Sequence, residues 1–322
     1  MANFGELSAP RASGLFTKRG LHGLAAASVA SVRGHLLPLP LCSPRVPASA
    51  FEHCWPWLAT GEGHTSITMM AHLEKDVFGV FLMLTCGYLF AAVAGIAADA
   101  LAAEDGIRRP LPDLLFQALP EIEDAGEAVN DKAELAFLCV AAPVLLWRRK
   151  LRLAARQIYV IQSALWVLRA PAFLVTRLPN PYPKCRPVEG LSLASPGKIL
   201  ELALGVLRGT VHTCADVMFS GHTAGLTMIL LVVLRHAPSA WPYFWSHFLG
   251  TVLVMVCSRF HYTTDVYVGF VVASFFCWWY FERVDRAMRE ARAAPRRLGT
   301  LSSFLVWYEG DLHEGPGVHA KG

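Results

Sequence analysis

The sequence predicts an all-α membrane protein, a polytopic bundle of six transmembrane helices, from its composition, its long uncharged runs and the placement of its basic residues. Apolar residues make up 54% of the 322 residues and charged residues only 17%, against about 25% charged in ordinary soluble domains. Several uncharged runs approach the roughly 20 residues that cross a bilayer as a helix. A soluble protein with many buried helices is the weaker alternative. The net charge of +4 does not indicate a nucleic-acid-binding face, since the basic residues cluster between apolar runs.

Six runs form the predicted spans. In chain order they are Val77–Ala98, Ala133–Trp147, Ile158–Val175, Phe219–Leu234, Trp241–Cys257 and Val266–Phe281. The first has 22 residues without a charge, the second is short and carries Glu134, and the third contains Arg169. Several runs fall a few residues below the ideal length, so their ends extend into the membrane interface or the helices tilt less. A bundle of five spans is the alternative to six.

The basic residues predict how the chain is threaded. One cluster, Arg148-Arg149-Lys150 with Arg152 and Arg156, follows the second span. A second cluster follows the sixth span and comprises Arg283, Arg286, Arg289, Arg292, Arg296 and Arg297. Short cytoplasmic loops are enriched in Lys and Arg, and an alternating thread places both clusters on that side. Both termini then lie in the cytoplasm, and the starts of spans four and six lie on the lumenal or exterior face.

The two ends of the chain are predicted to lie outside the membrane domain. Residues 1–74 are basic, rich in Ala and Ser and poor in acids, which indicates a disordered cytosolic tail. A transit peptide, or a translation start at Met69 or Met70, are the alternatives. Residues 75–285 form the six-helix catalytic domain. Residues 286–322 form a cytosolic C-terminal tail, expected to be flexible from Gly299 onward.

The fourth span opens with a string suited to phosphate chemistry, Asp216-Val-Met-Phe-Ser220-Gly221-His222-Thr223. Ser220 is expected to cap the helix, and Gly221 lets the backbone approach a ligand. A helix start has free N–H groups and the positive end of the helix dipole, so it favours anions. His222 then projects from the first turn toward a bound anion.

The sixth span opens with a second string, Ser258-Arg259-Phe-His261-Tyr262-Thr-Thr-Asp265. His261 and Asp265 are four residues apart and would share one helical face. The carboxylate is expected to accept the proton of one ring nitrogen and leave the other free to attack phosphorus. Arg259 is placed to hold a phosphate oxygen. Either string alone is weak evidence for a catalytic site. Both are predicted to lie on one membrane face, in chain order, where ionisable groups tend to be functional.

The eight cysteines are too scattered for a disulfide framework, and no CxxC spacing indicates zinc. Cys185 and Cys214 both fall in the loop before the fourth span, on the side predicted to be oxidising. A disulfide between them would tether this loop beside His222. The sequence predicts no metal ligand cluster and no cofactor.

Four ordered motifs resemble those of the sphingomyelin synthase family. CADVMFSGHT (214–223) and HYTTDV (261–266) are similar to its two active-site motifs, Arg109-Pro-Leu-Pro-Asp113 to its PLPD motif, and the stretch from Arg169 through Thr176 to Leu178-Pro-Asn-Pro181 to its arginine–threonine–LPxP motif. The similarity covers about residues 75–285. Ala215 departs from the usual glycine. That family shares its scaffold with the type 2 phosphatidic acid phosphatases.

The resemblance implies an enzyme that moves a phospho-alcohol headgroup from a glycerophospholipid to the primary hydroxyl of ceramide and releases diacylglycerol. Carried over by position, His261 is the nucleophile that forms a phosphohistidine, Asp265 activates it, and His222 acts first as general acid and then as general base. The expected contacts to substrate come from Asp113, Arg169, Asp216, Ser220, Gly221, Arg259 and Tyr262. The expected partners are ceramide, the donor lipid and the bilayer, and a homodimer is compatible.

The resemblance indicates the headgroup donor and the cellular membrane less directly than the reaction. Phosphocholine is slightly favoured, with phosphoethanolamine and inositol phosphate open, and SRFHYTTDV is somewhat closer to the inositol type. A Golgi or plasma-membrane protein is expected, with its site on the lumenal or exterior face.

The alternative is a lipid phosphate phosphatase that uses water as acceptor. Its first motif needs a lysine seven residues before an Arg-Pro pair, and the corresponding positions hold Ala102 and Pro179. A non-catalytic lipid-binding protein on the same scaffold is a third hypothesis.

Overall fold

The computed structural model describes residues 64–105, 109–122, 126–182, 184–185, 195–294 and 298–313. Every regular element within these ranges is a helix, so the all-α prediction is confirmed. In chain order the helices are α1 (His64–Leu82), α2 (Phe90–Asp105), α3 (Leu114–Ala118), α4 (Gly126–Trp147), α5 (Leu151–Val175), α6 (Pro196–Leu207), α7 (Gly221–His236), α8 (Trp241–Cys257), α9 (Thr263–Ala293) and α10 (Thr300–Glu309). A π-helical segment, Met83–Leu89, joins α1 to α2.

Five of the six predicted spans lie within one of these helices or begin just before it, whereas Val77–Ala98 runs from α1 through the π-helical segment into α2. Four helical segments are long and apolar enough to cross a membrane: Met69–Ala103, Leu151–Val175, Pro238–Cys257 and Thr263–Ala293. Large apolar side chains on these segments, such as Phe81, Leu249 and Phe275, face outward, as lipid-facing residues do. Helix α4 carries ionisable residues in its first turns, and α7 has only 16 residues. The count of six spans therefore stays a prediction.

Helix α7 lies at the centre of the bundle and contacts α4, α5, α8 and α9. Its side chains Leu226, Leu230 and Val233 are fully buried, which explains why so short a helix is apolar on all sides. Helix α9 crosses the first turn of α7 at close range. A Cβ on Gly269 would lie 2.7 Å from the carbonyl oxygen of Ser220, so only glycine lets the two functional segments approach this far.

A second packing layer forms around the small residues of α2, which lies against α5 and α6. Ala94, Ala98 and Ala102 pack with Ala170 and Phe173. Alanines permit close approach of helix backbones within a bilayer, where the packing of small residues helps to drive helix association. This layer holds the loop before α7 against the body of the bundle.

The C-terminal region corrects two expectations. Helix α9 continues to Ala293, well past the predicted span end at Phe281. Residues 300–309, expected to be a flexible tail, form α10, whose Leu305 and Tyr308 are buried against the bundle. The physical reason is the apolar face of TLSSFLVWYE, whose aromatic rings pack against Phe78 of α1.

Arg156 also has a different role from the one expected of a loop cation. Helix α5 begins at Leu151, so Arg156 lies in its second turn and is fully buried. Its guanidinium donates to Asp76 Oδ1 at 2.7 Å, Asp311 Oδ1 at 2.9 Å and the Tyr308 carbonyl at 2.7 Å. A buried arginine needs such partners, and this one joins α1, α5 and the C-terminal segment.

The N-terminal tail predicted for residues 1–74 lies mostly outside the described residues. Helix α1 already begins at His64, ahead of the predicted start of the catalytic domain at residue 75. The partition into domains stays a prediction.

Candidate active site

The two histidines singled out in the sequence meet at one end of the bundle. Nδ1 of His222 lies 3.3 Å from Nε2 of His261, and the ring centroids are 5.6 Å apart. His222 comes from the first turn of α7, and His261 from the loop between α8 and α9. Phe260 presents its ring edge-on to both imidazoles. Two imidazoles from different segments of the chain therefore share one small volume.

An acidic residue that sequence reasoning missed contacts the first histidine. Nε2 of His222 lies 2.9 Å from Oδ1 of Asp131, near the start of α4. A carboxylate can only accept, so this ring nitrogen carries hydrogen. The hydrogen bond from His222 holds the pKa of Asp131 below its ordinary value. Asp131 therefore orients His222 and stabilises its protonated form.

One signal for Asp131 was present in the sequence. Asp131 and Glu134 are three residues apart, so they lie on one face of a helix that leads into the membrane. Glu134 is the second carboxylate whose charge acts on His222. The predicted second span treated Glu134 only as a weakness of that span, although an ionisable residue there is itself an indication of function.

The second histidine lies in a different electrostatic setting. Burial lowers the pKa of His261 well below its ordinary value, and the charges of His222 and Arg169 act in the same direction. A ring that stays neutral keeps a lone pair. The structure thus gives one histidine an acidic partner and favours the uncharged form of the other, so the two rings differ in their electrostatic surroundings.

The expected hydrogen bond between His261 and Asp265 is not formed in this structure. Oδ2 of Asp265 accepts from the Tyr262 amide at 3.2 Å, as in a capping box, and its Oδ1 is buried without a hydrogen-bond partner. Nδ1 of His261 is likewise buried, and it faces the backbone at Val217 without a hydrogen bond of normal geometry. The reason is the helix start: the capping interaction fixes the carboxylate on its own backbone.

The loop that carries the first motif is clamped from several sides. Asp99 Oδ1 accepts from the amides of Cys214 at 2.9 Å and Ala215 at 2.6 Å. The disulfide Cys185–Cys214 is formed, as the sequence predicted. Asn180 donates to the Cys214 carbonyl at 3.1 Å. These contacts fix the approach to His222 before any ligand binds.

Arg169 clamps the same loop at its other end. Nε donates to the Phe219 carbonyl at 2.6 Å, and Nη1 pairs with Asp216 Oδ2 at 3.2 Å. The guanidinium also packs over Trp166. Arg169 and Asp216, both expected to touch substrate, are thus engaged with each other, and they position the histidine motif.

Ser220 caps α7 as expected, whereas Gly221 makes room for side chains of α5. Ser220 is the N-cap of α7, and its Oγ accepts from the Thr223 amide at 3.2 Å. A Cβ on Gly221 would lie 3.1 Å from the Trp166 ring and 3.3 Å from Cζ of Arg169. This glycine lets the helix start lie directly beneath the arginine.

Tyr262 links three of the four sequence motifs. Its hydroxyl donates to the Pro179 carbonyl at 2.8 Å and accepts from the Leu111 amide at 2.9 Å, and its ring stacks on Phe116. The PLPD and LPxP strings therefore meet at the second histidine motif. This is a structural reason for the four motifs to occur together.

Asp113 and Arg259 are also engaged with protein atoms. Asp113 caps α3 through the Leu115 amide, and it accepts from the Thr263 amide at 2.7 Å and hydroxyl at 2.8 Å, so it also holds the start of α9. Arg259, expected to hold phosphate, donates Nη2 to the carbonyls of Phe116 and Leu119. Its buried Nη1 has no hydrogen-bond partner.

Taken together, fold and site define a helical integral membrane protein with a histidine pair at one end of its bundle. The family model described as PAP2 superfamily C-terminal matches residues 213–282, a stretch that contains both histidines. Over 229 residues the chain is 28% identical to phosphatidylcholine:ceramide cholinephosphotransferase 2 of Caenorhabditis elegans, covering 65% of this chain and 66% of that protein.

Two human proteins are similar as well. Sphingomyelin synthase-related protein 1 is 27% identical over 198 residues, covering 58% of this chain and 47% of that protein. Phosphatidylcholine:ceramide cholinephosphotransferase 1 is 26% identical over 228 residues, covering 67% and 55%. The chain spans about half to two thirds of the length of these relatives. It is homologous to the sphingomyelin synthases and their related proteins, as its motifs predicted.

Proposed function

We propose that the protein is a sphingolipid synthase, which transfers a phospho-alcohol headgroup from a glycerophospholipid to the primary hydroxyl of ceramide. The observation that carries the proposal is the 3.3 Å approach of His222 Nδ1 to His261 Nε2 within the two motifs. Phosphatidylcholine is the favoured donor, supported by the names of two of the relatives. The site lies on the lumenal or exterior face of a Golgi or plasma membrane.

In the first half-reaction Nε2 of His261 attacks the phosphorus of the donor. The bond from phosphorus to the diacylglycerol oxygen breaks, and the leaving oxygen takes the proton from Nδ1 of His222. The neutral state of His261, favoured by its burial, supplies the lone pair. The contact of Asp131 with Nε2 of His222 supports the protonated ring that must donate.

In the second half-reaction the ceramide hydroxyl attacks the phosphohistidine. Its proton passes to Nδ1 of His222, and the bond from phosphorus to Nε2 breaks, which restores the starting state. During this cycle Nδ1 of His261 needs an acceptor for its hydrogen. Oδ1 of Asp265, buried without a partner, is the acceptor that we assign to it, which requires one of the two side chains to reorient when substrate binds.

The remaining motif residues position these groups. Asp113, Tyr262 and Arg259 join the α3 region to the start of α9, while Arg169 and Asp216 hold the start of α7. Substrate contacts come from the helix start at Ser220 and Gly221 and from Nη1 of Arg259, a buried donor without a protein acceptor. A rigid support of this kind keeps two reacting groups within about 0.5 Å of a productive geometry.

The test uses membranes from cells that make the protein, with labelled ceramide and each donor lipid in turn. We expect a ceramide phospho-alcohol by mass spectrometry and release of diacylglycerol. His222→Ala and His261→Ala should abolish both products, whereas the matched control His247→Gln, outside the site on α8, should retain them. Headgroup retained on the protein in an acid-labile form without ceramide, and absent from His261→Ala, would support the phosphohistidine.

The competing hydrolase makes a different set of products. Its single expected activity is release of inorganic phosphate from phosphatidate, with water as acceptor and no ceramide product from any donor. That outcome would overturn the transferase proposal.

A further inference from the structure

A second polar site lies at the opposite end of the bundle from the histidine pair. It is a cavity of about 390 Å³, which is in the range of small-molecule binding sites. His236, one of its lining residues, ends the same helix that begins beside His222. His222 and His236 are 14 positions apart, which corresponds to roughly 20 Å of helix, so the cavity is distinct from the candidate active site.

Cationic and imidazole side chains dominate the lining. Arg235 and His236 come from the end of α7, Arg292 from α9, Lys150 from the turn before α5, and His313 from the segment after α10. Asp285 is the one carboxylate in the lining. It lies 2.6 Å from Nη2 of Arg235, so it offsets a single charge. The cavity therefore carries a net positive charge built from four separate segments.

Part of this lining is held in place before any ligand arrives. The guanidinium of Arg235 is fixed by Asp285 and packs over the Phe281 ring at 4.6 Å. Nε2 of His236 is hydrogen-bonded to Gln157 at 2.9 Å, and Nε2 of His313 lies 3.1 Å from Oε2 of the buried Glu309. Preorganised donors of this kind reduce the entropy lost on binding.

Burial and the neighbouring lining residues both affect the pKa of His236. Burial lowers its pKa to about 4, and Arg235, Lys150 and His313 act in the same direction. His236 is thus neutral at physiological pH and lies beside the cations Arg235 and Lys150. A multiply charged anion in the cavity would relieve the repulsion between the cations of the lining.

We propose that this cavity binds a phosphate monoester, presented either as the headgroup of an anionic lipid or as a free phosphate compound. Basic pockets between transmembrane helices on the cytoplasmic side suit anionic headgroups, and the predicted threading places this end of the bundle in the cytoplasm. Leu312 and His313 belong to the lining, so the ligand also pins the C-terminal segment to α7 and α9.

The test compares two probes that share one headgroup, dihexanoyl phosphatidic acid and glycerol 3-phosphate. Full-length protein in nanodiscs of phosphatidylcholine is titrated by calorimetry, with empty nanodiscs as the blank. Binding of the lipid alone identifies a headgroup site, and equal binding of both probes identifies a free phosphate site. Either result supports the proposal. Saturable binding of neither probe overturns it.

Charge-matched variants locate the binding. Arg292→Gln should weaken affinity roughly fivefold, and the double variant Arg292→Gln/Lys150→Gln about 25-fold, since a cation near the headgroup contributes on the order of 1 kcal/mol. The control is Arg286→Gln, because Arg286 is exposed on the same helix and lies outside the lining. Equal losses in Arg286→Gln and Arg292→Gln would show non-specific attraction and overturn the site.

Discussion

Replacing Asp131 with asparagine tests how far the acidic contact at His222 serves the chemistry. The substitution preserves shape and removes the charge that lies 2.9 Å from Nε2 of His222. An amide oxygen can still accept a hydrogen bond, so the orientation of the ring is largely kept. The variant loses the electrostatic stabilisation of the protonated imidazole. In the proposed cycle His222 is protonated before it donates the proton to diacylglycerol and after it accepts the proton from ceramide.

The size of the effect follows from the distance and the exposure. Two unit charges about 4 Å apart interact by about 1 kcal/mol in water and about 4 kcal/mol at the effective dielectric of a protein surface. The Asp131 side chain is 59% exposed, so the lower part of that range applies. A loss of about 1–2 kcal/mol corresponds to a rate reduction of roughly 5- to 30-fold.

The assay measures transfer to fluorescent ceramide in proteoliposomes and separates kcat from KM. We expect the loss in kcat, because the contact supports a charge that develops during proton transfer. Lys132→Gln is the matched control, since it removes the adjacent exposed charge. Activity of Asp131→Asn within twofold of the parent protein, with His222→Ala inactive, would refute a role for the carboxylate in the reaction.

Four further predictions concern the supports of the site and the route of the headgroup. Asp113→Ala removes the cap of α3 and the anchor of α9, so the Tm should fall by an amount equivalent to about 1–3 kcal/mol, with Asp113→Asn intermediate; an unchanged Tm would contradict the double cap. Burial acts to raise the pKa of Asp113, yet hydrogen bonds from Thr263, Leu115 and Phe116 lower it overall. Its stabilising contribution is therefore complete above the ordinary carboxyl pKa and is lost as the pH falls through the lower folded-state value, which a Tm series from pH 6 to pH 3 measures. The double variant Cys185→Ser/Cys214→Ser opens a loop of 29 residues and should cost about 3.5 kcal/mol of stability; free thiols at both positions in non-reduced parent protein would show that the bridge does not form. EDTA should leave transfer unchanged, because the proposed route moves the headgroup through His261 and the proton through His222; loss of activity that added metal restores would contradict that route.

The sequence by itself determined the class of the protein and singled out the two histidines that the fold brings together. Long uncharged runs can satisfy their backbone hydrogen bonds in a bilayer only as helices, so composition and run length were sufficient to predict the all-α bundle. His222 and His261 were found because each begins a helix in a chain with few other ionisable groups near its spans. The disulfide was accessible too, since the predicted threading placed Cys185 and Cys214 in one oxidising loop.

Only the tertiary structure decided what each supporting residue contacts. Arg169 and Asp216 are 47 residues apart in the chain, and Asp131 and His222 are 91 apart; no local pattern encodes such pairs, because they arise where helices from distant parts of the chain pack together. The same holds for α10, because the partner of its aromatic face, Phe78 of α1, lies more than 200 residues away in the chain. Asp265 differs, since its carboxylate is held by the Tyr262 amide in a local cap. The periodicity and composition of a sequence segment indicate which of its side chains must be buried. The partner against which they are buried is determined by the packing of the whole bundle.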